Sequence, residues 1–203
     1  MTAGCLPLAA DCNVSSKSMD LDDHQELLRQ AAVSPARVLR LINGRLYSAE
    51  PEEKWRAVRA LGALAARPGL LSDEKLSELL RRYFWALNSE SGAVPFGLPE
   101  AIGELLAVRP ALQPDFLPLL CSLAHQPDVF QTGPILRGVL WALGRIGPPA
   151  AGADPKALEA VAATAREHPD DEMRRMAAWA LARMQPEESQ PPPLKLDAPP
   201  RRS

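Results

Sequence analysis

The chain is poor in cysteine, histidine, lysine and aromatic residues, and each shortage excludes something. Its three cysteines, Cys5, Cys12 and Cys121, form no CxxC pair and no zinc spacing. Their odd number also argues against a disulfide framework. No apolar run reaches the length of a transmembrane helix, so no membrane partner is expected. The net charge of -2 creates no overall basic field toward nucleic acid. There is no Walker loop, GxGxxG, GxSxG or HExxH, so neither an enzymatic activity nor a cofactor is expected. Thr2-Ala3-Gly4-Cys5 is spelled like a lipoprotein cleavage box but follows no basic or apolar segment, and Asn13-Val14-Ser15 is a glycosylation sequon by spelling only. The cytoplasm is the expected location.

Leu, Ala, Arg and Glu dominate while Val, Ile and Thr are sparse, a balance that favours helix over strand. The fold class expected is all-α. Eighteen arginines against five lysines suit stacked and bidentate contacts, although a G+C-rich genome would produce the same bias. Prolines punctuate the chain where their missing N–H costs nothing. Residues 1–19 read as a disordered leader and 186–203, rich in proline, as a disordered tail. Within 20–50, acids at Asp20–Asp23 lead one helix, and Ser34-Pro35 opens a second to about Tyr47, which Asn43-Gly44 weakens. These two helices cap the array of residues 51–185. Further helices are expected from Pro51 to about Ala66 and from Ser72-Asp73-Glu74 to about Leu87. Others should span Pro95–Val108, Pro114–His125, Ile135–Gly147, Lys156–His168 and Glu172–Met184. Gly147-Pro148-Pro149 should end the helix before it, and Pro99 should bend or delay its own. Tyr83, Phe84 and Trp85 are expected in the core.

Within that array one step recurs. Ala60-Leu61, Ala101-Ile102, Ala142-Leu143 and Ala180-Leu181 are separated by 41, 41 and 38 residues. A period near forty marks stacked helical units rather than a single globular core. Asp170–Met184, DDEMRRMAAWALARM, resembles the short bacterial HEAT repeat of the phycobilisome-lyase-like type. Arg174, Ala177, Ala178, Ala180 and Leu181 match its consensus, with Met173 in the valine place and Ala182 in place of glycine. Ile135–Gly147 keeps Ala142, Leu143, Gly144 and Ile146. Ala60-Leu61-Gly62 and Ala101-Ile102-Gly103 carry shorter matches. The resemblance implies a right-handed α-α superhelix, a HEAT-repeat solenoid, in which the second helix of each pair lines a concave side. It implies no particular function, because such arrays serve many.

Relative to the aligned alanine, offsets -5, -4, -1 and +3 fall on one helical face, at positions that the consensus leaves free. They hold Trp55, Arg56, Arg59 and Ala63, then Phe96, Gly97, Glu100 and Glu104. The later helices supply Arg137, Gly138, Trp141 and Arg145, then Arg175, Met176, Trp179 and Arg183. Trp and Arg are enriched at binding hot spots. The face is therefore read as a site for another protein, an acidic helix or peptide, with Trp55, Arg56, Arg59, Phe96, Arg137, Trp141, Arg145, Arg175, Trp179 and Arg183 as partner-binding residues. The competing reading makes the tryptophans inter-repeat filler and the arginines solvated. Glu100 and Glu104 are expected to pair with Arg59 and Arg145 rather than hold a metal.

Other functions stay open behind the scaffold reading. A lyase-like, cofactor-handling accessory role is one alternative, for which no nucleophile is evident: Cys121 reads as a buried apolar residue. Nucleic-acid binding is the second, a minority option in an acidic chain. Iron chemistry of the deoxyhypusine hydroxylase kind needs His-Glu pairs, and His24, His125 and His168 are followed by Gln, Gln and Pro. Met173, Met176 and Met184 are spaced as packing residues, not as a soft-metal box.

Overall fold

Asp23, Ser72, Asp154 and Asp170 each start a helix for one reason: a side-chain oxygen accepts an otherwise unpaired N–H of the first turn. Asp23 accepts from Glu26 at 3.0 Å, Ser72 from Lys75 at 3.4 Å, Asp154 from Lys156 at 2.9 Å and Asp170 from Glu172 at 2.7 Å. Pro35, Pro51 and Pro155 occupy the first turns of three helices, where their fixed φ is already helical. The computed structural model describes residues 20–88, 96–126 and 133–185. The proposed leader, the tail and Pro95 lie outside the described residues.

Ten α-helices and no strand are found among the described residues. They are α1 (His24–Val33), α2 (Pro35–Leu46), α3 (Pro51–Ala65), α4 (Asp73–Leu87), α5 (Leu98–Val108), α6 (Gln113–Ser122), α7 (Gly133–Ile146), α8 (Pro148–Ala153), α9 (Pro155–Glu167) and α10 (Asp171–Met184). A single 3-10 turn, Pro110–Leu112, leads into α6. None is long and apolar enough to cross a membrane. Two expectations need correction. Pro148-Pro149 do not simply end a helix: Gly147, at φ 78, reverses the chain, and the prolines then open the short α8. The helix expected from Ile135 starts two residues earlier, with Gly133-Pro134 in the first turn of α7. Despite Asn43-Gly44, α2 continues to Leu46, next to the expected Tyr47, because Ile42 and Leu46 are fully buried. Pro99 sits in the first turn of α5, so it delays the helix instead of bending it.

The helices pack in sequence order. α3 lies on α5, α5 on α7, and α7 on α10, while α2, α4, α6 and α9 each pack against the helix that completes their pair. Ala60, Leu61, Ala101, Ile102, Ala142, Leu143 and Ala180 have no exposed surface, so the repeated step is the seam of this row. Leu181 is only half-buried, because among the described residues no helix follows α10 in the row. The seam is tight at its glycines. A Cβ on Gly103 would come within 2.5 Å of the Ala142 Cα, and one on Gly62 within 2.5 Å of a Glu104 carboxylate oxygen. A Cβ on Gly144 would stand 3.0 Å from the Ala180 Cα. Ala182, the fourth member of this series, carries the methyl group that the other three positions exclude.

Arg109 closes the joint between successive pairs. It donates to the carbonyls of Ala65 (2.5 Å) and Leu71 (2.8 Å) and to Asp73 Oδ1 (2.8 Å). The consensus-matching Arg174 does the same job at the other end, donating to the His168 carbonyl at 2.6 Å and so holding the turn between α9 and α10.

Two glycines therefore separate cleanly by experiment. Gly103→Ala is expected to destabilise the fold by about 1–3 kcal/mol, since backbone must move to admit the methyl group. Gly44→Ala, in a helix with nothing within 4 Å of the new Cβ, should stabilise by about 0.5–1 kcal/mol. Urea melts of the two variants check both signs.

Candidate partner-binding face

The residues proposed for the face do not share one environment. The offset -4 row is where successive helices touch: a Cβ on Gly138 would meet Glu100 Oε2 at 2.6 Å, and one on Gly97 would meet the Leu46 carbonyl at 2.8 Å. The helices approach so closely there that this row is interface, not open surface.

Trp55 and Trp141 are brought together and buried. Their rings meet edge to face with centroids 4.8 Å apart, and Trp141 is only 5% exposed. Such a pair contributes about 0.5–1.5 kcal/mol beyond the area it buries. These two tryptophans are core residues on α3 and α7, which flank α5. Trp85, by contrast, was expected in the core and is 74% exposed on α4. Leu76, Leu79, Leu80, Tyr83, Phe84 and Leu87 already complete the buried stripe of that helix, which turns the intervening Trp85 outward.

Beside the tryptophan pair lies an ion pair that sequence reasoning assigned differently. Glu100 pairs with Lys54, not with Arg59: Lys54 Nζ donates to Oε1 at 2.6 Å, and both side chains are buried. Lys54 also lies 4.9 Å from the centre of the Trp55 ring. Burial pushes the Glu100 carboxyl above its ordinary range, and the Lys54 ammonium opposes that shift. Glu100 Oε2 and Trp141 Nε1 have no hydrogen-bond partner among the described residues. Lys54 stands at offset -6 on α3, one residue before the first of the positions chosen. Arg59 instead joins Arg56 on Asp22, at 3.4 and 2.8 Å, which ties α3 to the chain entering α1.

The expected Glu104–Arg145 pair is present. Arg145 Nε and Nη2 donate to the two carboxylate oxygens at 2.7 and 3.2 Å, a bidentate contact between α5 and α7. Arg137 reaches Glu172 at 2.5 Å, joining α7 to α10. Four of the proposed arginines are therefore occupied by intramolecular carboxylates.

Two are not. Arg175 and Arg183 are exposed and have no ion-pair partner within 4 Å among the described residues. Between them on α10 stands Trp179, half-buried against the space that Gly144 leaves free. The spacing i, i+4, i+8 sets the three in one stripe along the helix. Phe96, also half-buried, lies apart from them, in a cavity of about 360 Å³ that Lys54, Arg137 and Met173 also line.

Cys121 is buried and its thiol is pushed up to about 12 by burial and by the Asp154 charge. That is opposite to what a nucleophile needs. His125 Nε2 lies 2.8 Å from Asp154 Oδ2; although burial opposes it, this contact and the Lys156 N–H lower the Asp154 pKa. Among the described residues no group of three His, Cys, Asp or Glu side chains is placed to hold a metal ion.

The buried pair makes a double-mutant cycle informative. Glu100→Leu alone should destabilise by about 3–5 kcal/mol, because it strands a buried ammonium. Lys54→Met combined with Glu100→Leu should recover most of that loss, as measured by chemical denaturation of the four proteins. No protein-family model matches the chain and no curated protein matches it, so the side chains alone carry the functional reading.

Proposed function

We propose that the chain is a binding scaffold: a HEAT-like α-solenoid whose α10 edge takes an acidic segment of another protein, most simply in the cytoplasm. The observation that carries this reading is the Arg175–Trp179–Arg183 stripe, where two guanidiniums without intramolecular carboxylates flank an accessible indole. Arginine beside tryptophan offers bidentate recognition of carboxylates next to an apolar anchor. The order of packing, α3 on α5 on α7 on α10, together with the tight glycine seam, supports the repeat architecture. The raised Cys121 thiol weighs against acyl-transfer chemistry at the chain's described cysteine.

A small-molecule accessory role has one feature in its favour, the cavity lined by Lys54, Phe96 and Arg137. Its volume of about 360 Å³ is at the small end for ligand sites. It would show as an absorbance band beyond that of protein in purified material.

Capture from native lysate, with and without nuclease, tests the scaffold reading. Arg175→Glu with Arg183→Glu should abolish capture of a nuclease-insensitive partner while helicity and melting stay unchanged. Trp141→Ala should behave differently, lowering stability by about 3–5 kcal/mol as a core truncation. Capture that survives the charge reversal, or that disappears with nuclease, rejects the proposed edge.

A further inference from the structure

A second surface lies on helices that take no part in the α10 stripe. Between α2 and α4 runs a groove of about 410 Å³ with Ala36, Leu39 and Leu79 lining it. Leu39 and Leu79 are largely buried and form an apolar floor. Tyr83 donates from its hydroxyl to Asn43 Oδ1 at 2.5 Å and so fixes the spacing of the two helices. Tyr83 is itself buried, which leaves its phenol neutral at any ordinary pH.

Charge on the rim is one-sided. Lys75 and Glu78 pair with each other at 2.9 Å and cancel. Arg40 on α2 and Arg82 on α4 remain, exposed and without an ion-pair partner within 4 Å among the described residues. Along α4, positions 78, 82 and 85 follow one helical face, so Trp85 continues the rim one turn beyond Arg82. Trp85 is 74% exposed, and Tyr47, at the end of α2, is 40% exposed. An indole this exposed, on a helix with a complete buried stripe, has no packing role among the described residues. Exposed Ala36 and the edges of Leu39 and Leu79, inside a rim with more cations than carboxylates, complement a helix with apolar side chains on one face and carboxylates beside them.

We infer that the α2–α4 groove, with Arg40, Arg82 and Trp85 as its contacts, docks an acidic amphipathic segment of a partner protein. Apolar side chains of that segment rest on Leu39 and Leu79, its carboxylates meet the two guanidiniums, and Trp85 covers its end. The groove itself presents two arginines, Arg40 and Arg82, with Arg37, Arg45 and Arg81 elsewhere on α2 and α4, whereas a nucleic-acid track draws on several phosphate contacts along one path. Glu78 at the rim and the overall charge of -2 oppose such a track further.

Fluorescence anisotropy on the full chain tests this with three dye-labelled probes: an amphipathic peptide of Leu and Glu, its Leu and Lys counterpart, and an oligo-dT. The Leu/Glu peptide should bind, and the other two should bind at least about tenfold more weakly. Arg40→Glu with Arg82→Glu, and separately Trp85→Ala, should each weaken the Leu/Glu peptide by about tenfold or more. Arg40→Gln with Arg82→Gln should weaken it less, with unchanged thermal melts in every case. Repeated in the Arg175→Glu, Arg183→Glu background, where the α10 edge cannot take the probe, the groove substitutions should still weaken the Leu/Glu peptide by about tenfold, which separates this surface from the α10 edge. Equal binding of the Lys peptide, tighter binding of oligo-dT, or indifference to both groove variants would overturn the inference. So would sedimentation of the free chain as a dimer that Trp85→Ala dissolves, since a second copy would then be the occupant.

Discussion

The close approach of consecutive helices in the row α3, α5, α7 and α10 is the constraint on which the rest depends. At each contact a glycine leaves a space that a neighbouring side chain fills: Glu104 at Gly62, Ala142 at Gly103, Glu100 at Gly138 and Trp179 at Gly144. Close packing of this kind brings backbone against backbone, so even one methyl group is felt. It also decides where polar side chains must go. Glu100 is buried because the space beside Gly138 is buried, and a carboxylate in that position requires a cation of its own. Lys54 supplies it from the adjacent helix.

The same geometry sorts the arginines into two populations. Arg145 and Arg137 cross between helices of the row and are held by Glu104 and Glu172, while Arg56 and Arg59 bind Asp22 at the entry to α1. Arg109 and Arg174 satisfy backbone carbonyls at the helix ends. A guanidinium fixed by carboxylates or carbonyls on both sides is part of the architecture. Of the exposed arginines outside these contacts, Arg82 on α4 and Arg175 and Arg183 on α10 share a helix with the accessible tryptophans Trp85 and Trp179. Coupled to aromatic surface, such charges favour orientation and capture more than fold stability.

The two tryptophan pairs of outcomes, Trp55 with Trp141 and Trp85 with Trp179, show where residue type stops being informative. Trp55 and Trp141 close on one another past α5, burying a large apolar area, while among the described residues Trp85 stays 74% exposed. Periodicity reports the angle of a side chain about its own helix. It does not report whether another element stands at that angle.

Much of the local structure was determined by the sequence itself. The caps at Asp23, Ser72, Asp154 and Asp170 and the first-turn prolines act within one turn of chain, so helix starts and the all-helical class follow from neighbouring residues. The forty-residue recurrence of the small–aliphatic step was likewise legible, and with it the buried seam and the Glu104–Arg145 pair. Only the tertiary structure decided that Lys54 rather than Arg59 meets Glu100, that Trp55 and Trp141 are core, and that Trp85 faces outward. Each of those depends on the distance and rotation between helices far apart in the chain. Those are set by the packing of all the side chains between them rather than by any one segment.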